Sequence, residues 1–176
     1  GDVYKRQLFE ETGRYIAMRF LVKPLDFSNA FMYGAGHGGV EAMLLCGVAS
    51  ISNIASAVMI NSGTMSAQLA TLDAEKAADT AAALSALWTT PSLTFFAGGV
   101  ERIIAVVLHL SLSILVFQSI RKKSQKDLLN AYLFHFVIDS LSVLLSAVAS
   151  VWVVELVTAL VTGGAVLMAR YACMKE

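Results

Sequence analysis

Apolar residues gather in five stretches along the chain, separated by short polar breaks. They run over Leu8–Val22, Ala35–Ile60, Leu93–Ile120, Leu128–Ala147 and Val151–Ala169. A helix rises 1.5 Å per residue, so about 20 residues cross the roughly 30 Å hydrocarbon layer of a bilayer. The first stretch is short and polar at its start; the second carries Asn53 and several serines. The break between the last two, SAVASVW, has no Pro or Gly, so they can form two helices or one bent one. The pattern predicts an all-α, polytopic transmembrane helical bundle of about five spans.

Between the second and third stretches lies a segment, residues 61–91, rich in Ala, Thr and Ser. Asp73, Glu75, Lys76 and Asp79 give it a net charge of −2. It reads as an extramembrane loop with one short helix, for which Thr71 and Asp73 are candidate caps. Basic residues mark the other ends. Arg19 and Lys23 follow the first stretch, Arg121, Lys122, Lys123 and Lys126 separate the third and fourth, and Arg170 and Lys175 follow the fifth. Five spans put these three sites on one side and the acidic loop on the other. The positive-inside rule then makes the 121–127 loop and the C-terminus cytoplasmic.

Composition agrees. The chain is 57% hydrophobic and 15% charged, where soluble domains carry about 25% charged residues; mean hydropathy is +0.68. Net charge is zero, so no basic surface for nucleic acid is implied, and no zinc finger, P-loop or dinucleotide fingerprint is present. Cys46 and Cys173 are far apart, beside or within apolar stretches, and read as inert thiols. The chain opens GDVYKRQ, without Met or a signal peptide. This segment resembles translated adapter read-through, so residues 1–7 are set aside as non-native and further helices are expected upstream. Residues 8–170 are expected to form one transmembrane domain and 171–176 a tail.

The expensive residues carry the chemistry. A charge at a helix centre costs about 2.5–3.5 kcal/mol on insertion scales. Yet Glu10, Glu11, Arg14, Glu41, Glu101, Arg102 and Asp139 lie in or at the rim of the spans, with all three histidines, His37, His109 and His135. They must face each other, a hydrated cavity or a metal. EETGR sets Glu10 and Arg14 at i,i+4 and Glu11 and Arg14 at i,i+3; HGGVE sets His37 and Glu41 at i,i+4; HFVID does the same for His135 and Asp139. Side chains one turn apart point the same way, as metal ligands or acid–base pairs must. Each pair also has a structural reading: a salt bridge at a helix start, a bonded pair at a helix contact, or an Asp fixing a His tautomer. His109 reads alone as a satisfied core histidine, and Glu101 with Arg102 as rim residues. One shared polar site accounts for all the pairs together. Gly34 and Gly38, with Ala35 and Gly39, form small-xxx-small patterns that let helices approach closely.

FEETGRYIAMRFLVK, YGAGHGGVEAMLLCG, INSGT and HFVID together resemble the YhfC family of bacterial membrane proteins, within the superfamily of type II CAAX-prenyl endopeptidases and PrsW-like intramembrane metalloproteases. The resemblance covers about Leu8 to Arg170. It implies a CAAX-protease-like core and an intramembrane metallopeptidase acting on a membrane-anchored peptide or protein. In that reading Glu10 or Glu11 activates water and Arg14 orients the carboxylates. Glu41 takes the position that is His in the CAAX branch, and His135 binds metal or water with Asp139 as partner. ERIIAVVLH resembles the superfamily's histidine-bearing helix, adding His109. A divalent ion, with zinc the expected one, would sit among Glu11, Glu41, His109, His135 and Asp139; a metal-free route uses the same residues. His37 departs from the pattern, standing where the CAAX branch has phenylalanine. The superfamily also includes scaffolds, among them a γ-secretase subunit, so a non-catalytic scaffold is one alternative. A proton- or ion-coupled transporter is another, although no inverted repeat is visible.

Overall fold

The computed structural model describes residues 3–174; Gly1, Asp2, Lys175 and Glu176 lie outside the described residues. So do the first two residues of the segment set aside above and one of the basic C-terminal markers. The described residues are helical, without strands. They form α1 (Val3–Ile16), continued by a π-helical turn (Ala17–Leu21); α2 (Phe27–Ala42), continued by a second π-helical turn (Met43–Gly47) into α3 (Val48–Asn61); α4 (Thr64–Leu69); α5 (Ala74–Thr89); α6 (Ser92–Lys122); α7 (Gln125–Ser146); and α8 (Val151–Met174).

Helix α6 is the axis, and α1, α2, α7 and α8 all pack on it. It is apolar on every face and buried along its second half, from Leu108 to Ser119, as a helix surrounded by others must be. Small residues make the contacts close: Ala131 of α7 and Ala165, Ala169 and Ala172 of α8 are buried. The outer surface is apolar instead of polar, with Phe9, Ile51, Leu133 and Leu160 all more than half exposed. Polar inside and apolar outside is the arrangement that lipid demands. This is an integral membrane protein.

Among the described residues four helices, against the five expected spans, are long and apolar enough to cross a bilayer: Phe27–Asn61, Ser92–Lys122, Gln125–Ser146 and Val151–Met174. The first expected span falls short because α1 carries Lys5, Arg6, Glu10, Glu11 and Arg14. It resolves the conflict by phase. Gln7, Glu11, Arg14 and Met18 form a buried stripe against the bundle, while Leu8, Phe9, Ile16 and Phe20 face outward.

Other boundaries shift for local reasons. The second span begins at Phe27 rather than Ala35, because Asp26 caps it by accepting from the Asn29 N–H at 2.8 Å. The last two spans are separate helices, α7 and α8, packed on each other. The loop holds two helices, not one. Gly63, at φ +76°, permits the tight turn between α3 and α4. Asp73 caps α5 as expected, accepting from the Lys76 N–H at 2.9 Å; Thr71 does not cap and instead donates to the Gln68 carbonyl.

The basic ends meet at one end of the bundle. Lys122 donates to the Ala172 carbonyl, and Arg19 shares a pocket with Lys123 and Ser124. The α4–α5 loop lies at the other end of α6, before its Ser92 start.

Candidate functional site

Four helices bring their polar residues to one place. From α1, Glu11 and Arg14 enter on the inward stripe with no exposed side-chain surface, paired at 3.1 Å. A buried ion pair survives only where its remaining groups are also satisfied, and α6 supplies those partners. The Arg14 guanidinium donates through Nη1 to the His109 carbonyl at 3.0 Å and Ser113 Oγ at 2.5 Å, and through Nη2 to His109 Nδ1 at 2.8 Å. A guanidinium only donates, so Nδ1 is the acceptor and the His109 proton sits on Nε2. From there it reaches Glu41 Oε2 of α2 at 2.6 Å.

His135 of α7 takes the opposite tautomer. A carboxylate only accepts, so Nδ1 donates to Glu11 Oε1 at 2.8 Å. Its Nε2 lies 3.5 Å from Glu10 Oε2 and 3.8 Å from Asp139 Oδ2. Neutral, that nitrogen is an acceptor that needs a water, a proton or a cation between it and the carboxylates; protonated, it faces them as a cation. The histidine rings pack together, with His109 4.7 Å from His37 and 5.4 Å from His135 between centroids.

Every residue singled out from the sequence lies on this network, with different pairings. Glu11, not Glu10, takes Arg14; Glu10 pairs with Arg6 at 3.4 Å. His37 and Glu41 do not bond each other but flank His109. Glu11, not Asp139, fixes the His135 tautomer, since Asp139 accepts instead from Gln7 at 2.8 Å and Arg6 at 3.3 Å. Glu101 and Arg102 sit at the rim as expected: Arg102 bonds Glu101 and lies 3.8 Å from Glu41 Oε1. One participant was missed: Ser113 was legible by the same one-turn rule, four residues after His109. Glu155 of α8 is also buried, with Oε2 unpartnered among the described residues, but it makes no bond to the network.

Two cavities open onto the network. One of about 450 Å³ lies between α6, α7 and α8, with Glu41, His109, His135 and Asp139 in its wall. The other, about 660 Å³, runs along α2 past Glu10, His37 and Glu41. Arg6, Glu41 and Leu45 line both.

The donor set fits a divalent ion. Ligand atoms of His37, Glu41 and His109 lie within 4.8 Å of one another among the described residues. Imidazole plus carboxylate, three in number, is the donor class of a zinc site that keeps one position open. Glu11 Oε2, buried without a partner, marks a further acceptor beside it. Neutral imidazole has one proton, so turning His109 Nε2 to an ion moves that proton to Nδ1. Arg14 then keeps its bonds to the His109 carbonyl and Ser113 and gives up Nδ1.

Comparison with known proteins follows the same lines. The sequence profile described as YhfC intramembrane metalloprotease matches residues 4–158. The uncharacterized membrane protein YhfC of Bacillus subtilis (strain 168) is 40% identical over 129 residues, 73% of this chain and 49% of that protein. The chain therefore spans about half the length of this relative. No solved structure matches.

Proposed function

The chain belongs to the YhfC intramembrane metalloprotease family, and from that premise we propose that it hydrolyses peptide bonds of membrane-anchored substrates at the network described above. One observation carries the reading: Glu10, Glu11, Arg14, Glu41, His109 and His135, from four helices of a lipid-facing bundle, meet beside two cavities large enough for an extended peptide. Isolated buried charges have no structural reason to gather so; a bundle can be held by small residues alone.

His37, Glu41 and His109 would hold a divalent ion, zinc by donor preference, and when bound it supplies the Lewis acidity that makes a water nucleophilic near neutral pH. Glu10 would serve as the general base towards a water in the cavity it shares with His37 and Glu41. It is a quarter exposed, whereas Glu11 is held at Oε1 by both Arg14 and His135. The His135 Nε2, 3.5 Å from Glu10, relays the proton to the leaving amine. Glu11 and Arg14 hold the two working histidines in their tautomers. By the positive-inside rule the basic end of the bundle faces the cytoplasm.

The test uses the purified chain in lipid nanodiscs, with metal content and cleavage of membrane-anchored reporter peptides measured together. Glu10→Gln should retain metal and fold and lose at least about 10²-fold in cleavage. Glu41→Gln should lose the metal. Full cleavage by Glu10→Gln would falsify the assignment. A wild-type chain that neither binds metal nor cleaves, yet passes ions in liposomes, would point to transport.

A further inference from the structure

At the end of the bundle away from the loop helices, a pocket of about 260 Å³ opens between the π-helical turn after α1, the end of α6 and the start of α7. Its cations are Arg19 and Lys123, from two separate elements, and Tyr15 and Ser124 add hydroxyls. Among the described residues no carboxylate pairs with either cation. The surrounding turn, residues 121–127, holds Arg121, Lys122, Lys123 and Lys126 against one acid, Asp127. Ile120 and Leu128 form the apolar part of the wall. Beyond it the outward residues turn fully apolar, with Phe20 and Leu129 each 66% exposed.

We propose that this pocket binds the phosphate of an anionic phospholipid, with the acyl chains lying along the apolar flank below. Two cations that repel each other and find no anion among the described residues are stabilised by one from outside, and they sit at the helix ends, where headgroups lie. The pocket is too small for a whole drug-sized ligand, but it joins charge to an apolar wall as a headgroup-and-chain ligand requires. Lys123 supports the assignment. It ends α6 with φ +52°, a left-handed position that glycine fills at lower cost. The lysine side chain is kept there against the backbone preference.

The experiment measures the thermal midpoint of the full chain in detergent while phosphatidylglycerol, phosphatidylcholine or inorganic phosphate is added. Phosphatidylglycerol should raise the midpoint saturably, by about 3–6 °C at tenfold excess over its Kd; phosphatidylcholine and inorganic phosphate should not. Arg19→Gln and Lys123→Gly should each raise the apparent Kd about fivefold, which about halves the shift at the same lipid concentration. Lys123→Gly also relieves the left-handed residue, so its midpoint without anionic lipid should stay level or rise, which separates binding from folding. Lys126→Gln, a cation outside the pocket wall, should keep the response. Equal shifts with phosphatidylcholine, an undiminished shift in Lys123→Gly, or an equal loss in Lys126→Gln would each overturn the site. A full shift with inorganic phosphate alone would make the ligand a soluble anion and overturn the lipid assignment.

Discussion

Replacing Gly34 by alanine tests whether the contact between α2 and α6 sets the site. A Cβ at position 34 would lie 2.9 Å from Leu110 Cα, 2.9 Å from Ser113 Oγ and 3.0 Å from the His109 carbonyl oxygen, where 3.4–4 Å is ordinary contact. Two of these atoms are backbone, so a rotamer change cannot relieve them and α2 must retreat by about 0.5 Å. Overpacking of this kind costs roughly 1–3 kcal/mol, and the helix propensity of alanine returns about 1 kcal/mol of it. The net loss is about 0–2 kcal/mol, or up to roughly 8 °C in the midpoint for a chain of this size. The functional loss should be larger, because Ser113 and the His109 carbonyl are the Arg14 acceptors and Glu41 follows two turns along α2. Gly39→Ala is the control: no atom lies within 4 Å of its Cβ, so it should gain up to about 1 kcal/mol and leave the site intact. Thermal unfolding and zinc retained after dialysis read both effects. If Gly34→Ala matches Gly39→Ala in midpoint and zinc content, the close approach of these helices is not what holds Glu41 to His109.

Three further outcomes are expected. Arg14→Met should cost about 3–5 kcal/mol by stranding the buried Glu11 carboxylate, and adding Glu11→Leu should recover most of it; unfolding in denaturant measures both. Glu155→Leu should stabilise the protein by about 2 kcal/mol, since it removes a buried carboxylate with an unpartnered oxygen; a lower midpoint would mean that the fold depends on Glu155. In the loop, the Lys76 ammonium and then its backbone N–H hold the Asp73 carboxyl below the ordinary aspartate value. The cap therefore stabilises α5 fully above the unfolded value near 3.9 and is lost as pH falls through the lower folded value. Amide exchange at the start of α5 should accelerate on acidification, and Asp73→Ala should abolish that dependence.

Much of this was readable because lipid makes charge expensive. The one-turn spacing in HGGVE and HFVID fixes a shared helix face without any knowledge of neighbours, and both faces do meet. Spacing cannot say which partner wins. His37 and Glu41 both flank His109 because α6 crosses α2 at Gly34 and Gly38, a tertiary fact that GxxxG suggests without naming the opposite helix. The second apolar stretch starts at Ala35, and before it Ser28, Asn29 and Tyr33 interrupt the apolar run. The Asp26 cap and the packing of Ala30 and Gly34 on the bundle decide otherwise. Averaged along the sequence α1 is too polar for lipid; its outward residues are charged at its start, at Lys5 and Arg6, and include Leu8, Phe9 and Ile16 further on.

Glu10 and Glu11 show why adjacency is misleading on a helix. Neighbours in sequence stand about 100° apart around the axis, so at most one can lie on the stripe of Gln7, Arg14 and Met18. Glu11 does, and there it accepts a hydrogen bond from His135 and pairs with the Arg14 guanidinium in a fully buried setting. Such a group is well suited to fix a tautomer and poorly suited to exchange protons, because protonating it would remove the charge that the buried Arg14 is paired with. Glu10 stands on the flank, beside a cavity, with His135 Nε2 at 3.5 Å and an exposed Arg6 as its ion partner. Its proton can come and go without unpairing a buried charge. The two glutamates therefore divide the work, and their alanine variants should fail differently. Glu11→Ala should lose folded protein, whereas Glu10→Ala should lose turnover alone. Equal losses of folded protein in both would remove the reason for assigning the base to Glu10.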